Sequence, residues 1–311
     1  MNFQQMEYVL AIDKERHFAK AAAKCFVTQP TLSMMVQKLE EELGVKLFER
    51  DRKPVLPTKA GEEIIRRIRI ILLEAKALKE CAAEMRGTVT GTLRLGIIPT
   101  LAPYLLPLFL KSFAASFPTL QIYIQEMVTD EMIIRIKSGD IDIGLVATPL
   151  FEEKLEETEL FQEEFFAYVS SANNTYSSQY LLPSQIDINE LWLLEEGHCF
   201  RNQILKLCEL KKSEQPYNAL HYESGSIETL INLVDSSDGV TIIPSLAVRN
   251  LRTEQKKRIR QFSEPKPGRQ ISLITLRDYP RKQITASLKA EILAHLPPEI
   301  LAADLKPVQV I

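Results

Sequence analysis

Apolar positions in the first 45 residues recur every three or four residues, which is the spacing of an amphipathic helix. The first series comprises Phe3, Met6, Val9 and Leu10. The Ala-rich stretch HFAKAAAKCF favours a second helix. Thr28, Pro30 and Gly44 supply the N-cap, the first turn and the end of a third helix over residues 28–43. A short helix, a tight turn and another helix in this order predict a helix-turn-helix motif.

The first turn of the third helix carries small polar side chains, which suit contact with base edges and phosphates in a DNA major groove. The stretch FERDRKPVLPTKAG then predicts a basic two-stranded wing that reaches for backbone phosphates. The residues that we expect to contact DNA are Gln29, Pro30, Thr31, Ser33, Met34, Lys38, Arg50 and Arg52. Amphipathic helices with charged surfaces also occur in proteins that bind no DNA, so periodicity alone leaves both interpretations open.

A long amphipathic helix follows over residues 59–87, with one apolar stripe and charges on its other faces. The stripe residues that we expect to form a dimer seam are Ile64, Ile68, Leu72, Ala75 and Leu78. A helix of this length with a single seam favours a partner helix. A helix packed against its own domain would show the same pattern and remains the alternative.

Strand and helix patterns alternate from residue 88 onward. A strand over Leu93–Ile97 precedes a helix over Ala102–Phe117, and a later strand covers Ile141–Val146. This alternation predicts an α/β fold with a mostly parallel, right-handed sheet. Small ligands of such folds bind at the carboxyl ends of the strands.

The charge is distributed unevenly along the chain. The 311 residues carry a net charge of −3, but residues 1–87 hold 16 Lys and Arg against 13 Asp and Glu, and the remainder holds 22 against 28. A basic head on an acidic body fits nucleic-acid binding. The N-terminus lacks the pattern of a signal peptide, and no apolar run is long enough to span a bilayer. We therefore expect a cytoplasmic protein with no membrane partner.

Enzyme and cofactor motifs are missing from the sequence. GxGxxG, a Walker loop and HExxH do not occur, and the four histidines lack metal-ligand spacing. We therefore expect no cofactor and no metal site. Four cysteines in a chain of this length do not form a disulfide scaffold, which favours a reducing compartment.

Two of the four cysteines stand close together in the stretch EEGHCFRNQILKLCEL, residues 195–210. Cys199 lies between His198 and Arg201 near the predicted start of a short helix, and cations and a helix N-terminus both lower a thiol pKa. Cys208 lies among apolar residues. Nine residues of helix rise about 13.5 Å, whereas a disulfide needs Cα atoms about 4.4–6.8 Å apart, so this pair could bond only after refolding. Alternatively, both cysteines are small buried hydrophobes.

Dense motifs in the first 60 residues resemble the winged helix-turn-helix of LysR-type transcriptional regulators. They are Ala-Ala, Gln-Pro-Thr-Leu-Ser, Lys-Leu-Glu, Leu-Gly, Leu-Phe-Glu-Arg and Thr-Lys-Ala-Gly. The resemblance implies a recognition helix over 28–43, a helix-turn-helix over roughly 18–37, a dimerising linker helix and a two-lobed, periplasmic-binding-protein-like effector domain. The expected domains are 1–58, 59–87 and 88–311, with lobe one at 88–163 and 269–300 and lobe two at 164–268.

The effector domain carries a second resemblance. EEGHC, eight further residues and another cysteine are similar to the OxyR family of hydrogen peroxide sensors within the LysR-type regulators. This similarity implies that Cys199 reacts with peroxide and that Cys208 resolves it as a disulfide. The residues implied to surround the peroxide and the thiolate are Thr100, Thr129, His198, Arg201, Asn202 and Arg269. Asn202 departs from the family pattern, in which aspartate is frequent, so the family's reaction rates do not transfer to this chain.

The resemblance also implies partners. They are operator DNA, a second copy of the chain in a dimer and a dimer of dimers, RNA polymerase, hydrogen peroxide as signal, and a glutaredoxin- or thioredoxin-like reductant that resets the switch at oxidative-stress genes. Two other functions remain open at this point. One is a LysR-type regulator of a small organic effector with incidental cysteines, and the other is a thiol peroxidase.

Overall fold

The structure, a computed structural model, describes residues 1–84, 90–194, 199–208, 225–303 and 309–310. At a few of these positions, Cys81 and Cys199 among them, it describes the backbone alone. The chain divides into two compact units, Met1–Gly87 and Thr88–Ile311. We call these units the head and the effector unit.

The head is helical with a small hairpin. Its elements are α1 (Phe3–Glu15), α2 (Phe18–Lys24), α3 (Gln29–Leu43), β1 (Phe48–Glu49), β2 (Leu56–Pro57) and α4 (Lys59–Glu84). Thr28 caps α3 by accepting a hydrogen bond from the backbone N–H of Thr31, and Gly44 ends it with a left-handed φ of 67°. β1 and β2 pair antiparallel. The predicted winged helix-turn-helix is confirmed.

A buried carboxylate joins α3 to the wing. Glu40 is 2% exposed, and it accepts hydrogen bonds from the Leu47 backbone N–H at 2.7 Å and from Arg50 Nη2 at 2.8 Å. Arg50 also donates to Ser33 Oγ at 3.0 Å. The Arg50 guanidinium thus has Glu40 as an ion-pair partner, since a buried carboxylate without one is costly, and its contact with a phosphate stays a prediction.

The first half of α4 packs on its own unit. Ile68 is 3% exposed and lies in the core of the head, and Ile64 and Leu72 pack against that core while partly exposed. A Cβ at Gly61 would lie 2.1 Å from the Leu47 carbonyl oxygen, so this glycine allows the close approach of α4. Ile68 is therefore a core residue of the head rather than part of an exposed seam, since its burial here stabilises the head itself.

The effector unit alternates strands and helices. Its elements are β3 (Gly91–Ile97), α5 (Ala102–Ser116), β4 (Leu120–Glu126), α6 (Thr129–Ser138), β5 (Ile143–Thr148), β6 (Leu155–Val169), β7 (Tyr180–Leu181), α7 (Cys199–Leu207), α8 (Ile227–Asp235), β8 (Val240–Pro244), α9 (Ser245–Arg249), α10 (Thr253–Lys256), β9 (Ile259–Phe262), β10 (Pro267–Leu276), α11 (Lys282–His295), α12 (Pro298–Ala303) and β11 (Gln309–Val310). The mixed α/β class is as expected.

The sheet is less parallel than the alternation predicts. β3 pairs parallel with β4 and β5, but β10 pairs antiparallel with both β5 and β6. The prediction of a mostly parallel sheet is wrong because the long strands β6 and β10 run in opposite directions beside each other. β6 pairs with β10 over residues 155–164 and with β8 and β9 over residues 165–169, so it belongs to both lobes.

The antiparallel pairing of β6 and β10 positions the candidate site. Arg269 and Glu163 are directly opposite each other in the antiparallel register. The loops after β3 and β4 lie at the carboxyl ends of these parallel strands and lead into α5 and α6. Thr100 and Thr129 therefore lie at the same edge of the sheet, as the rule for α/β ligand sites predicts.

The outward side of α4 generates a prediction about assembly. Leu78 is 74% exposed and Ile71 is 39% exposed, so the apolar stripe continues beyond the part that the head covers. We expect Leu78→Glu to leave the head folded and to weaken self-association at least tenfold, because a charge would enter the helix pair. Sedimentation of the full chain over a concentration series measures this. Lys79→Glu, an exposed change beside the stripe, is the control, and an unchanged mass for Leu78→Glu would remove α4 from the interface.

Candidate functional site

A fully buried ion pair forms the centre of the candidate redox site. Arg269 and Glu163 are each 0% exposed, and Arg269 Nε donates to Glu163 Oε2 at 2.8 Å. Arg269 Nη1 donates to Thr100 Oγ1 at 2.8 Å, and Nη2 donates to the Thr100 carbonyl at 3.3 Å. The second Glu163 oxygen accepts from the backbone N–H of Leu246, at the start of α9, at 3.0 Å. The ion pair thus joins the paired strands β6 and β10 to the loop after β3, through Arg269, and to α9, through Glu163.

The face of the Arg269 guanidinium is covered by the residue that follows Cys199. Phe200 is 2% exposed, and Arg269 Cζ lies 5.1 Å from the centroid of its ring. Phe165 meets the same ring edge-on, with centroids 5.0 Å apart. A desolvated guanidinium over an aromatic face is a favourable cation–π contact. The start of α7 is therefore bound to the buried ion pair through a single side chain.

The two cysteines flank α7. Cys199 is its first residue, and Cys208 follows its last residue while still donating its backbone N–H to the Ile204 carbonyl at 3.0 Å. Because the helical hydrogen bonding continues to Cys208, the two Cα atoms are separated by a rise of about 13.5 Å. That separation exceeds the disulfide limit of about 6.8 Å. The described conformation is therefore that of the reduced pair.

Cys208 is an unreactive thiol in this conformation. It is buried in the effector core, and that burial raises its pKa to about 11. Thiols react as thiolates, so a group with this pKa is almost entirely protonated at neutral pH. An oxidant that reaches α7 from outside would accordingly meet Cys208 in its inert form.

The other predicted site residues are placed as follows. Thr129 is buried in the first turn of α6, at the same sheet edge as Thr100. Arg201 donates from Nη1 to the Leu194 carbonyl at 2.8 Å, so its guanidinium ties α7 to the segment before it. Asn202 is exposed on α7. His198 and the Cys199 side chain lie outside the described residues. The structure thus brings Thr100 and Arg269 into direct contact.

The predicted DNA-binding residues lie mostly on one exposed face of the head. Gln29, Pro30, Thr31, Met34 and Lys38 are exposed along α3, and Ser33 is half-buried beside Arg50. Arg52, in the wing, is exposed and pairs with Glu49 at 2.6 Å. An exposed helix N-terminus with short polar side chains can approach phosphates and base edges.

The sequence did not reveal three residues of these sites. Glu163 lies 106 residues from Arg269 along the chain, and only the register of β6 and β10 pairs them. Phe200 resembled an ordinary apolar residue beside a cysteine. Glu40 could have been recognised because it occupies the position four residues after Val36, on the buried side of α3.

Metal sites and membrane-spanning helices are two further features that side chains and helices could provide. Within the described part of the chain, His, Cys, Asp and Glu residues form no group of three or more that could hold a metal ion. Among the described helices, none combines the length and the hydropathy needed to cross a membrane.

Comparison with known proteins supplies the family. Residues 3–62 match the family of bacterial regulatory helix-turn-helix proteins of the lysR type, and residues 86–297 match the LysR substrate binding domain. A curated relative, the hydrogen peroxide-inducible genes activator of Haemophilus influenzae, is 36% identical over 274 residues, which are 88% of this chain and 90% of the relative.

Solved structures agree with this assignment. A full-length OxyR variant from Pseudomonas aeruginosa superposes with a TM-score of 0.78 at 30% identity, covering 95% of this chain and 99% of that one. A hydrogen-peroxide-bound OxyR mutant from Corynebacterium glutamicum gives a TM-score of 0.62 at 26% identity, covering 99% of this chain and 97% of that one. The head and the effector unit each match a LysR family model, and the relatives agree with both matches. The chain belongs to the LysR family of bacterial transcriptional regulators.

Proposed function

We propose that this regulator senses hydrogen peroxide through oxidation of Cys199 and a Cys199–Cys208 disulfide. The observation that carries the proposal is the position of the two cysteines at opposite ends of α7, with Phe200 lying on the buried Arg269. The similarity to a peroxide-inducible genes activator and to a peroxide-bound OxyR supports the same signal.

The chemistry takes place in two steps. The Cys199 thiolate attacks one oxygen of hydrogen peroxide, an S–O bond forms as the O–O bond breaks, and the leaving hydroxide takes a proton and departs as water. The Cys208 sulfur then attacks the sulfenic sulfur, and an S–S bond forms as the S–O bond breaks. The leaving hydroxide takes up the Cys208 proton and departs as the second water. Two thiols and one peroxide thus give one disulfide and two waters.

The buried network assists the first step through position and charge. Thr100 Oγ1 already accepts from Arg269, so its own O–H remains able to donate to a peroxide oxygen. Arg269 holds Thr100 on one side and the ring of Phe200, the residue after Cys199, on the other, so the network keeps the Thr100 hydroxyl and the start of α7 together. Four further polar residues complete the proposed peroxide environment: Thr129, His198, Arg201 and Asn202.

The second step requires α7 to unfold. Cys208 is buried and protonated in the helix, and it lies too far from Cys199 to attack. A disulfide formed at the cost of local refolding stores strain, which makes it easier to reduce than a structural disulfide. A glutaredoxin- or thioredoxin-like reductant of the cytoplasm would then reset the switch.

A LysR-type regulator of a small organic effector is the second candidate. Against it, the buried Arg269 already has Glu163 and Thr100 as partners, so this cation is not free to bind an organic acid. A thiol peroxidase is excluded because the chain is a member of a family of regulators.

The head applies the signal at DNA. We propose that its exposed face contacts operator DNA, and that Arg50 also holds the wing in place through Glu40. The proposed contacts are Gln29, Pro30, Thr31, Ser33, Met34, Lys38, Arg50 and Arg52. We further propose that α4 pairs two chains, that effector units join dimers into tetramers, and that RNA polymerase is the partner at oxidative-stress genes. The proposed domains are 1–58, 59–87 and 88–311, with lobe boundaries in the paired strands β6 and β10.

The wing supplies a prediction about salt dependence. Arg52→Ala removes one phosphate contact, so the slope of log affinity against log salt should become shallower by about one unit while all DNA sequences lose affinity alike. Fluorescence anisotropy at several salt concentrations measures the slope. Lys257→Ala, an exposed cation in the effector unit, should leave it unchanged. An identical slope for Arg52→Ala would remove this arginine from the interface.

The thiol assignment predicts the behaviour of four cysteine variants. Cys199→Ser should bind DNA and ignore peroxide, because a hydroxyl is not ionised at neutral pH, and Cys208→Ser should accumulate a sulfenic acid without a disulfide. Cys81→Ser should respond normally, and so should Cys25→Ser, because burial and the Glu7 charge raise the Cys25 pKa. Peptide mass spectrometry after one equivalent of peroxide tests this. A response that survives Cys199→Ser would leave the organic-effector function standing.

Thr100 provides a test of the peroxide pocket. Thr100→Val keeps the shape of the side chain but removes its hydroxyl, so the reacting peroxide loses a hydrogen-bond donor and Arg269 Nη1 loses an acceptor, and Cys199 oxidation should slow about tenfold. Thr148→Val is the matched control, because Thr148 is also buried but bonds Ser272 Oγ at 2.7 Å. Stopped-flow measurement of thiol loss gives both rates, and equal rates would remove Thr100 from the pocket.

A further inference from the structure

The turn of the helix-turn-helix contains an aromatic residue whose exposure to solvent and backbone conformation are both unfavourable. Phe26, between α2 and α3, is 96% exposed and has a φ of 55°. Its backbone N–H donates to the Ala23 carbonyl, and the Val27 N–H donates to the Ala22 carbonyl. This pair of hydrogen bonds is a Schellman motif, and Phe26 occupies its left-handed position, which glycine normally fills.

Within the head, the other left-handed positions are filled or compensated differently, whereas Phe151 of the effector unit shares the conformation and the exposure of Phe26. Gly44 ends α3 with a φ of 67°. Arg16 is also left-handed, but its guanidinium pairs with Asp13 at 3.1 Å and its carbonyl accepts from the Val55 N–H. The Phe26 ring has no comparable burial, because almost all of it faces solvent. A bulky residue in this conformation costs free energy, and such strain is characteristic of functional positions.

The position of Phe26 indicates what its ring meets. It precedes the Thr28 cap by two residues, and Pro30 and Met34 are exposed on the adjoining turns of α3. Pro30 and Met34 belong to the face of α3 that we propose for operator DNA, and Phe26 precedes the start of that helix by three residues. Thymine methyl groups and deoxyriboses are apolar surfaces that DNA presents to such a face.

We propose that Phe26 is a DNA contact of the head, where its ring packs on an apolar part of the operator. The inference rests on the proposed DNA interface and adds an uncharged member to it. Burial of part of a Phe ring on DNA corresponds to a gain in affinity of roughly five- to tenfold. The contact neutralises no phosphate, so it contributes nothing to the salt slope.

A single substitution separates this role from a structural one. Phe26→Asn places a residue that tolerates the left-handed conformation, so the head should become more resistant to thermal unfolding. The same change removes the ring, so operator affinity should fall roughly five- to tenfold with an unchanged salt slope. A rise in stability together with a loss of affinity is the expected signature, because a residue that only supported the fold would move both quantities in one direction.

The chain contains a matched control. Phe151, in the effector unit, is 89% exposed with a φ of 58°, so Phe151→Asn relieves the same kind of strain without touching the head. It should bind operator DNA as the wild type does. Anisotropy titration of both variants in the full chain, with thermal unfolding in parallel, gives the result. Wild-type affinity for Phe26→Asn overturns the inference, whereas a wild-type chain that shows no salt-dependent DNA binding overturns the proposed DNA interface instead.

Discussion

The effector unit depends on one buried ion pair, Arg269 with Glu163. Two fully desolvated charges are favourable only when every remaining hydrogen-bonding group near them has a partner. Thr100, the Leu246 N–H and the Phe200 ring supply those partners from a loop, a helix N-terminus and the start of α7. Removing either charged side chain would leave the other uncompensated in the core. The network therefore links the start of α7 to the junction of β6 and β10.

The same arrangement explains why Cys199 and Cys208, the proposed reactive and resolving cysteines, can coexist without bonding. A helix between them enforces a separation that no rotamer can bridge, and burial keeps Cys208 protonated. Oxidation of Cys199 adds a polar oxygen beside a segment that is otherwise held by apolar packing. Under the proposed mechanism, the helix of the reduced state persists until Cys199, its first residue, is oxidised.

Local signals in the sequence predicted local structure well. Thr28, Pro30 and Gly44 marked the recognition helix to within one residue, because caps act over a single turn. Contacts between distant residues were not predictable. Periodicity could not tell that the head buries Ile68 and leaves Leu78 exposed, since both lie on one stripe. Arg50 looked like a free cation because its partner, Glu40, becomes visible only when α3 and the wing are packed together.

Helix α7 is short enough to behave as a single cooperative element. Isolated helices below about 12–15 residues are marginal in water, so these nine residues are helical because Phe200, Ile204 and Leu205 are buried against the effector core. Arg269 holds the first of these side chains, and Cys208 lies beyond the last. If Phe200 leaves its place over the guanidinium, the remaining contacts are too few for the helix to persist in part. The proposed disulfide therefore requires the whole segment to melt, and its reduction would let the same side chains return to their buried positions.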